Sequence, residues 1–258
     1  MPATVAPTTP EHARRFANDG FFVLDRVVPP SDLEILRAEC DRLVDERDDE
    51  MRRLGTDMLD LDHRGRRYFL HAYDESPQVR RFLFSELMAE VARTALGDTV
   101  HLFNEQYVVK ASERGMRFGW HQDSGFVDYR HRPYLTCWIP LDDVSEASGT
   151  VYLLPYDRAG TRDVIEHVRD EQTNDMIGYS GADPGDPVVV PAGSIVCFSS
   201  TVFHRSGPNT TDHMRRVYVA QYSAEPLLDR SGTRPRHLAE PLLADGRPVQ
   251  RPERPRTW

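Results

Sequence analysis

Lysine is almost missing from this 258-residue chain: of its 32 basic residues only Lys110 is a lysine. Arginine in place of lysine throughout is what codon bias in a GC-rich genome produces, so it points to a bacterial source rather than to a function. Cysteine is scarce as well. Cys40, Cys137 and Cys197 form neither a CxxC pair nor a regular framework. That excludes a disulfide-stapled module and fits a reduced, cytoplasmic chain. No apolar run approaches the ~20 residues needed to cross a bilayer. Residues 1–10 lack a basic stretch followed by an apolar one, so no signal peptide is expected. Positive charge is not in excess: the net charge is −9, which argues against a nucleic-acid or anionic-membrane partner and leaves a small molecule as the expected one. Internal repeats are absent. Oligomeric state is not legible in these residues.

What is present reads as one globular unit. Hydrophobic residues make up 39% and charged residues 28%, ordinary values for a chain with a sizeable core. Residues 1–9 are rich in Pro and Thr and are expected to be disordered. Residues 10–19 read as a short helix, and Phe21 to Leu24 as a strand. Pro29-Pro30-Ser31 opens a helix running to about Asp48, with Ser31 and Glu34 fitting a capping box and Leu33, Leu36, Cys40, Leu43 and Val44 on its buried side. Residues 50–72 read as a long loop with a short strand at Tyr68-Phe69-Leu70, and 77–96 as one helix. From about residue 99 the apolar period becomes two. Strands are expected over 99–110, 115–121, 133–140, 149–155, 187–190, 194–200 and 215–222, separated by Glu113-Arg114-Gly115, Ser148-Gly149 and Pro191-Ala192-Gly193. A helical first third followed by many short strands predicts a mainly β fold with flanking helices, built on a jelly-roll or double-stranded β-helix core over residues 10–224. Residues 157–186 read as a polar lid-like insertion. The Pro/Arg-rich stretch 225–258 reads as a tail or a cover over the barrel mouth.

The chemistry centres on Phe118-Gly119-Trp120-His121-Gln122-Asp123. In an extended segment His121 and Asp123 point to one side, where they can share a metal ion. His204 lies just beyond the predicted strand at 194–200, and two histidines with one carboxylate are the ligand set of non-haem Fe(II) oxygenases. A His-x-Asp triplet by itself is weak, because roughly one arises by chance in a chain of this composition. Arg215 strengthens it. Of the neighbours Arg215 and Arg216 only one can face a barrel interior, and an inward arginine needs an anion such as a dicarboxylate.

Together these motifs resemble the phytanoyl-CoA dioxygenase family of Fe(II)/2-oxoglutarate oxygenases, which includes ectoine hydroxylase. The resemblance covers roughly residues 15–222. It is carried by Asn18-Asp19-Gly20-Phe21-Phe22-Val23, the strand from Asn104 to Lys110, Trp120-His121-Gln122-Asp123, Ile139-Pro140-Leu141-Asp142-Asp143, Ser148-Gly149, and the His204, Ser206, Asn209 and Arg215 cluster. It implies Fe(II) held by His121, Asp123 and His204. It also implies 2-oxoglutarate held distally by Arg215 with Thr136 and Ser206, Phe118 lining the cosubstrate pocket, and Asn104 or Gln106 touching the cosubstrate. Trp138, on the same face as Thr136, is a candidate for the substrate pocket. O2 would be the third reactant, and the implied outcome is hydroxylation of a small-molecule C–H bond with release of succinate and CO2; Asp123 is the carboxylate that family halogenases lack. The chain departs from the family at Leu154-Pro155-Tyr156-Asp157-Arg158, where Pro-Gly-Ser-His is common. Two rival readings of the same residues stand: a zinc-dependent hydrolase, and a non-catalytic jelly-roll binding protein. Arg66, Arg67, His71, Arg117, Arg130 and His131 lie in or near loops that would shape the substrate pocket.

Overall fold

The computed structural model describes residues 7–112, 116–171 and 176–250. Helix α1 (Pro10–Asp19) starts on a proline, whose fixed φ suits a first turn, and stops at the left-handed Gly20. Strand β1 (Phe21–Leu24) follows. Helix α2 (Pro30–Leu54) buries Leu36, Cys40, Leu43, Val44 and Met51 on one side. It passes the expected end at Asp48 because Met51 is buried and Arg47–Glu50 and Arg52–Asp49 ion pairs support the polar turns. The expected capping box does not form: the helix begins one residue earlier, at Pro30, with Ser31 inside its first turn and no side-chain cap.

The segment read as a loop carries a small meander, β2 (Met58–Leu59), β3 (Asp62–His63) and β4 (Arg67–Leu70). The helix expected over 77–96 is two, α3 (Pro77–Leu83) and α4 (Glu86–Leu96). Ser85 is extended between them, and its hydroxyl accepts from the Met88 N–H to cap α4. Thr8, expected in a disordered arm, is buried and donates to Glu90 of α4.

The remaining chain is mainly strand: β5 (Val100–Lys110), β6 (Phe118–His121), β7 (Leu135–Pro140), β8 (Val151–Leu154), a turn of helix α5 (Tyr156–Ala159), β9 (Val168–Arg169), β10 (Met176–Ile177), β11 (Asp186–Pro187), β12 (Ile195–Ser199), β13 (Phe203–Ser206), β14 (Arg215–Ser223), β15 (Glu240–Ala244) and β16 (Arg247–Pro248). The expected turn at residues 113–115 lies outside the described residues. A large sheet runs β1-β12-β7-β14-β5-β4-β3-β2, with β15 also paired to β5 and β16 to β15. A smaller sheet runs β11-β8-β13-β6. These are the two sheets of the double-stranded β-helix. The stretch after residue 225 is not loose in its described part: β15 pairs with the start of β5, and Leu242 and Leu243 are buried.

Alternation divides the large sheet's side chains between two cores. On its outer face Tyr107, Cys137, Cys197, Tyr218 and Tyr222 pack with Leu36, Val79, Leu83 and Met88 of the helices. Each such side chain contributes about 1.5–3 kcal/mol when removed from water. On its inner face Trp138, Val196, Phe198, Val217 and Val219 meet Val151 and Leu153 of the small sheet. Polar residues punctuate this inner face at fixed register: Arg215 opposite Lys110, and Gln221 between Asn104 and Thr136.

Candidate active site

His121 ends β6 and His204 lies in β13, directly opposite it in register. His204 is thus inside a strand of its own, not just beyond β12. Asp123 opens a short 3-10 turn, Asp123–Phe126, that bends the chain inward after β6. The ligating atoms of His121, Asp123 and His204 all lie within 4.8 Å of one another. His204 Nε2 is 3.5 Å from Asp123 Oδ1, and the two imidazole centroids are 4.2 Å apart.

The surrounding hydrogen bonds decide which atoms face the centre. His121 Nδ1 meets the Gly119 carbonyl at 2.7 Å, and His204 Nδ1 meets the Val202 carbonyl at 3.1 Å. A ring nitrogen that donates to a carbonyl carries the proton, which leaves Nε2 of each ring as a lone pair. Asp123 Oδ2 accepts from Thr136 Oγ1 at 2.5 Å and from Gln221 Nε2 at 3.1 Å. Its Oδ1 is left for the centre. Asn104 Nδ2 in turn donates to Gln221 Oε1 at 3.2 Å and so orients that amide. Burial, reinforced by His204, pushes His121 down to about 3, so it is neutral at pH 7. Burial pushes Asp123 up, but His204, His121 and the Thr136 hydroxyl outweigh it and hold the carboxyl at about 2. Two imidazoles that turn Nε2 to the centre and one ionised carboxylate, all on one side of a cavity, fit a divalent iron with open positions.

That cavity, about 610 Å³, continues between the sheets past Phe118, Trp138 and Ser206 to Arg215. Arg215 is 2% exposed. One nitrogen donates to the Val108 carbonyl at 3.3 Å, and Nε has no partner among the described residues. Burial pulls the guanidinium down to about 9, which still leaves it charged at pH 7. A buried cation with an orphaned donor is costly unless an anion reaches it, so the donor set fits the distal carboxylate of 2-oxoglutarate. Arg216 faces the other way, to Asp142 at 2.7 Å and Asp41 at 2.8 Å. Beside Arg215, Lys110 is fully buried; its Nζ donates to Ser206 Oγ at 2.8 Å and lies 4.8 Å over the Phe118 ring.

Asn104, Gln106, Phe118, Thr136, Trp138, Ser206 and Arg215 therefore all line one cavity with the His-Asp-His trio. Thr136 and Asn104 are engaged with Asp123 and Gln221 rather than open to the cavity's distal end. Asn209 is a tie: its amide donates to the Lys110, Ala111 and His213 carbonyls. Of the loop residues considered for a substrate, Arg67 lines this cavity and Arg117 an adjoining groove, whereas Arg66, His71, Arg130 and His131 line neither. Among the described residues Asp123 is the one carboxylate that lines the cavity, so none of them offers the second acid that a zinc hydrolase would use as general base. Gln221 was missed in the sequence, although its parity with Arg215 along β14 is the signal that could have found it. Gln122 carries no such signal. Its side chain straps the 157–186 insertion down, donating to the Asp163 and Thr201 carbonyls and accepting from the Ile165 N–H.

Comparison with known proteins agrees with this geometry. The family model described as phytanoyl-CoA dioxygenase (PhyH) matches residues 16–217. The "Ectoine dioxygenase" of Bordetella parapertussis is 25% identical over 256 residues, covering 89% of this chain and 81% of the relative. The "Probable alpha-ketoglutarate-dependent hypophosphite dioxygenase" of Stutzerimonas stutzeri is 30% identical over 149 residues, and the match spans 54% of this chain and about half, 51%, of that relative. Among solved structures, EvdO2 from Micromonospora carbonacea var. aurantiaca complexed with 2-oxoglutarate superposes with a TM-score of 0.65 at 21% identity, covering 95% of this chain and 96% of the other. That last likeness speaks to the fold. The motif, its register and the family match lead to one conclusion: the chain belongs to the phytanoyl-CoA dioxygenase family of Fe(II)- and 2-oxoglutarate-dependent oxygenases.

Proposed function

We propose that the chain hydroxylates a C–H bond of a small molecule in bacterial secondary metabolism, with His121, Asp123 and His204 as the Fe(II) ligands and Arg215 as the seat of the distal carboxylate of 2-oxoglutarate. The observation that carries this reading is the pairing of the His-Asp-His trio with a buried, unpartnered Arg215 donor in one cavity. Fe(II) with 2-oxoglutarate and O2 supplies the oxidising chemistry there, with succinate and CO2 as co-products.

The protein's own part is positioning. The Gly119 and Val202 carbonyls hold the imidazoles by Nδ1 and aim Nε2 at the centre. Thr136 and Gln221 occupy one oxygen of Asp123 and keep it a one-oxygen ligand. Lys110 donates to Ser206 Oγ, so the Ser206 proton is free to be donated to an anion beside Arg215. Trp138, Val151 and Val219 wall this part of the cavity against water. Asp123 fills the position that a halide would otherwise need, which favours hydroxylation.

Anaerobic titration with Fe(II) and then 2-oxoglutarate tests the reading. A weak visible charge-transfer band that requires both components is expected, absent in His204→Ala and shifted to at least about tenfold higher 2-oxoglutarate in Arg215→Gln. A protein that binds zinc but gives no band with iron and 2-oxoglutarate would refute it.

A further inference from the structure

We infer that His167, in the 157–186 insertion, is a positioning residue for the iron site: its imidazole holds the backbone N–H of Gln122, the residue between the ligands His121 and Asp123. The inference rests on the preceding section for the identity of those ligands. It starts from the place of β6 in the small sheet. β6 is the last strand of the order β11-β8-β13-β6. One side of its backbone pairs with β13, where His121 lies opposite His204. The other side has no further strand among the described residues, and outward backbone groups at an edge need partners from elsewhere. The insertion supplies them. The Gly178 N–H donates to the Trp120 carbonyl at 2.8 Å. Just past the end of β6, the Gln122 N–H donates to Nε2 of His167 at 2.9 Å. An imidazole thus stands where the carbonyl of a next strand would stand.

The hydrogen bonds fix the chemical form of that ring. A backbone N–H has only a proton to offer, so Nε2 is bare and accepts it. Nδ1 lies 2.7 Å from the Ile165 carbonyl, which can only accept, so Nδ1 carries the ring proton. The seat of the ring is shaped for it. Gly125 and Gly178 flank the imidazole, and neither has the positive φ that calls for glycine. What excludes a side chain at both is His167 itself: a Cβ on Gly178 would lie 2.6 Å from Nε2, and one on Gly125 would overlap the ring. A ring held by two hydrogen bonds between two bare backbones has one orientation, and it imposes that orientation on the peptide it grips.

That peptide joins His121 to Gln122, so its direction sets how the chain leaves one ligand and enters the turn that carries the next. The side chains of the ligands already have their own supports: carbonyls for the imidazoles, Thr136 and Gln221 for the carboxylate. The backbone between His121 and Asp123 has His167. The side chain of Gln122 binds the insertion separately, through the Asp163 carbonyl and the Ile165 N–H. The insertion therefore keeps anchors of its own when the imidazole acceptor is removed, and holding the insertion can be separated from holding the ligands.

Two variants read in two ways test this. His167→Phe keeps a flat ring and removes the acceptor; His167→Gln keeps an acceptor oxygen. In the metal-free protein, hydrogen exchange at the Gln122 amide, followed by NMR, is expected to be about tenfold or more faster in His167→Phe than in wild type. It should return towards wild type in His167→Gln, with exchange at Ile165 unchanged in both. Fe(II) affinity, measured by competition with a chelator without O2, is expected to fall about tenfold in His167→Phe and to recover in part in His167→Gln. Should His167→Phe not fold, His167→Ala, which leaves space in place of a larger ring, is read against the same outcomes. Wild-type exchange at Gln122 without the acceptor would overturn the inference. So would faster exchange with unchanged Fe(II) affinity, which would make His167 a tie for the insertion only, or an equal loss of affinity in the Phe and Gln variants, which would assign the effect to packing. A wild-type protein that binds no Fe(II) would sink the oxygenase reading and this inference with it, whereas normal iron binding that is indifferent to residue 167 would sink this inference alone.

Discussion

Thr136 and Gln221 show how much of this site lies in residues that touch no reactant. Both donate to the same oxygen of Asp123, and Gln221 also donates to Thr136 at 3.1 Å, so the carboxylate cannot rotate without breaking two bonds. Thr136→Val keeps the shape and removes the hydroxyl. It is expected to weaken Fe(II) binding about 10- to 100-fold, as loss of an outer-sphere partner typically does, with unchanged circular dichroism; metal competition measures it. Unaltered iron affinity would mean that Asp123 is oriented by packing alone. At this scale the sequence was informative about residue types and silent about partners. Alternation along β14 identified Arg215 as one of two inward candidates, and the ion pairs of Arg216 with Asp142 and Asp41 account for the other. Thr136 was legible as a cavity residue, but its bond to Asp123 joins residues 13 apart and needs the chain to fold first.

Among the elements, the segment leaving β13 and the turn before β8 meet backbone against backbone. Gly149 has φ +77°, and a Cβ there would lie 2.6 Å from the Gly207 carbonyl oxygen and 2.9 Å from Pro208. Ser148-Gly149 is thus a crossing point at which the β8 turn passes under the segment leaving β13. Gly149→Ala combines a disfavoured backbone region with a clash against backbone, and is expected to destabilise the fold by about 2–3 kcal/mol. Chemical denaturation measures that, and a stability within 0.5 kcal/mol of wild type, a margin typical of neutral surface changes, would contradict the assignment. Because Gly207 follows Ser206, the same variant should also weaken 2-oxoglutarate binding. β13 escaped sequence reading because its four residues, Phe203–Ser206, mix aromatic, basic and polar types with no alternating apolar face. The break between α3 and α4 escaped because the apolar stripe runs on through it, and only the Ser85 cap marks the second start.

For the whole molecule, the described C-terminal stretch, residues 225–250, is part of the fold rather than an appendage. β15 extends the large sheet along β5, and Leu227, Leu242 and Leu243 are buried. At about 1.5–3 kcal/mol per side chain, removing residues 225–258 should cost about 5 kcal/mol, comparable with the total stability of many domains. A fall in Tm of about 10 °C or more is expected by calorimetry; an unchanged Tm would show that the sheet does not need this edge. No helix among the described residues is long and apolar enough to cross a membrane, consistent with the absence of apolar runs.

The sequence by itself determined the mainly β class, the helical buttress, the motif His121-Gln122-Asp123 with its distant partner His204, and the parity that turns one arginine of a pair inward. These follow from local chemistry and period-two alternation, which any stretch of chain carries within itself. The tertiary structure alone decided which oxygen of Asp123 is held by Thr136 and Gln221, that Lys110 reaches Ser206, and that His167 meets the Gln122 N–H. Each of these pairs elements that are distant in the chain, and a contact of that kind exists only once two sheets have closed on each other.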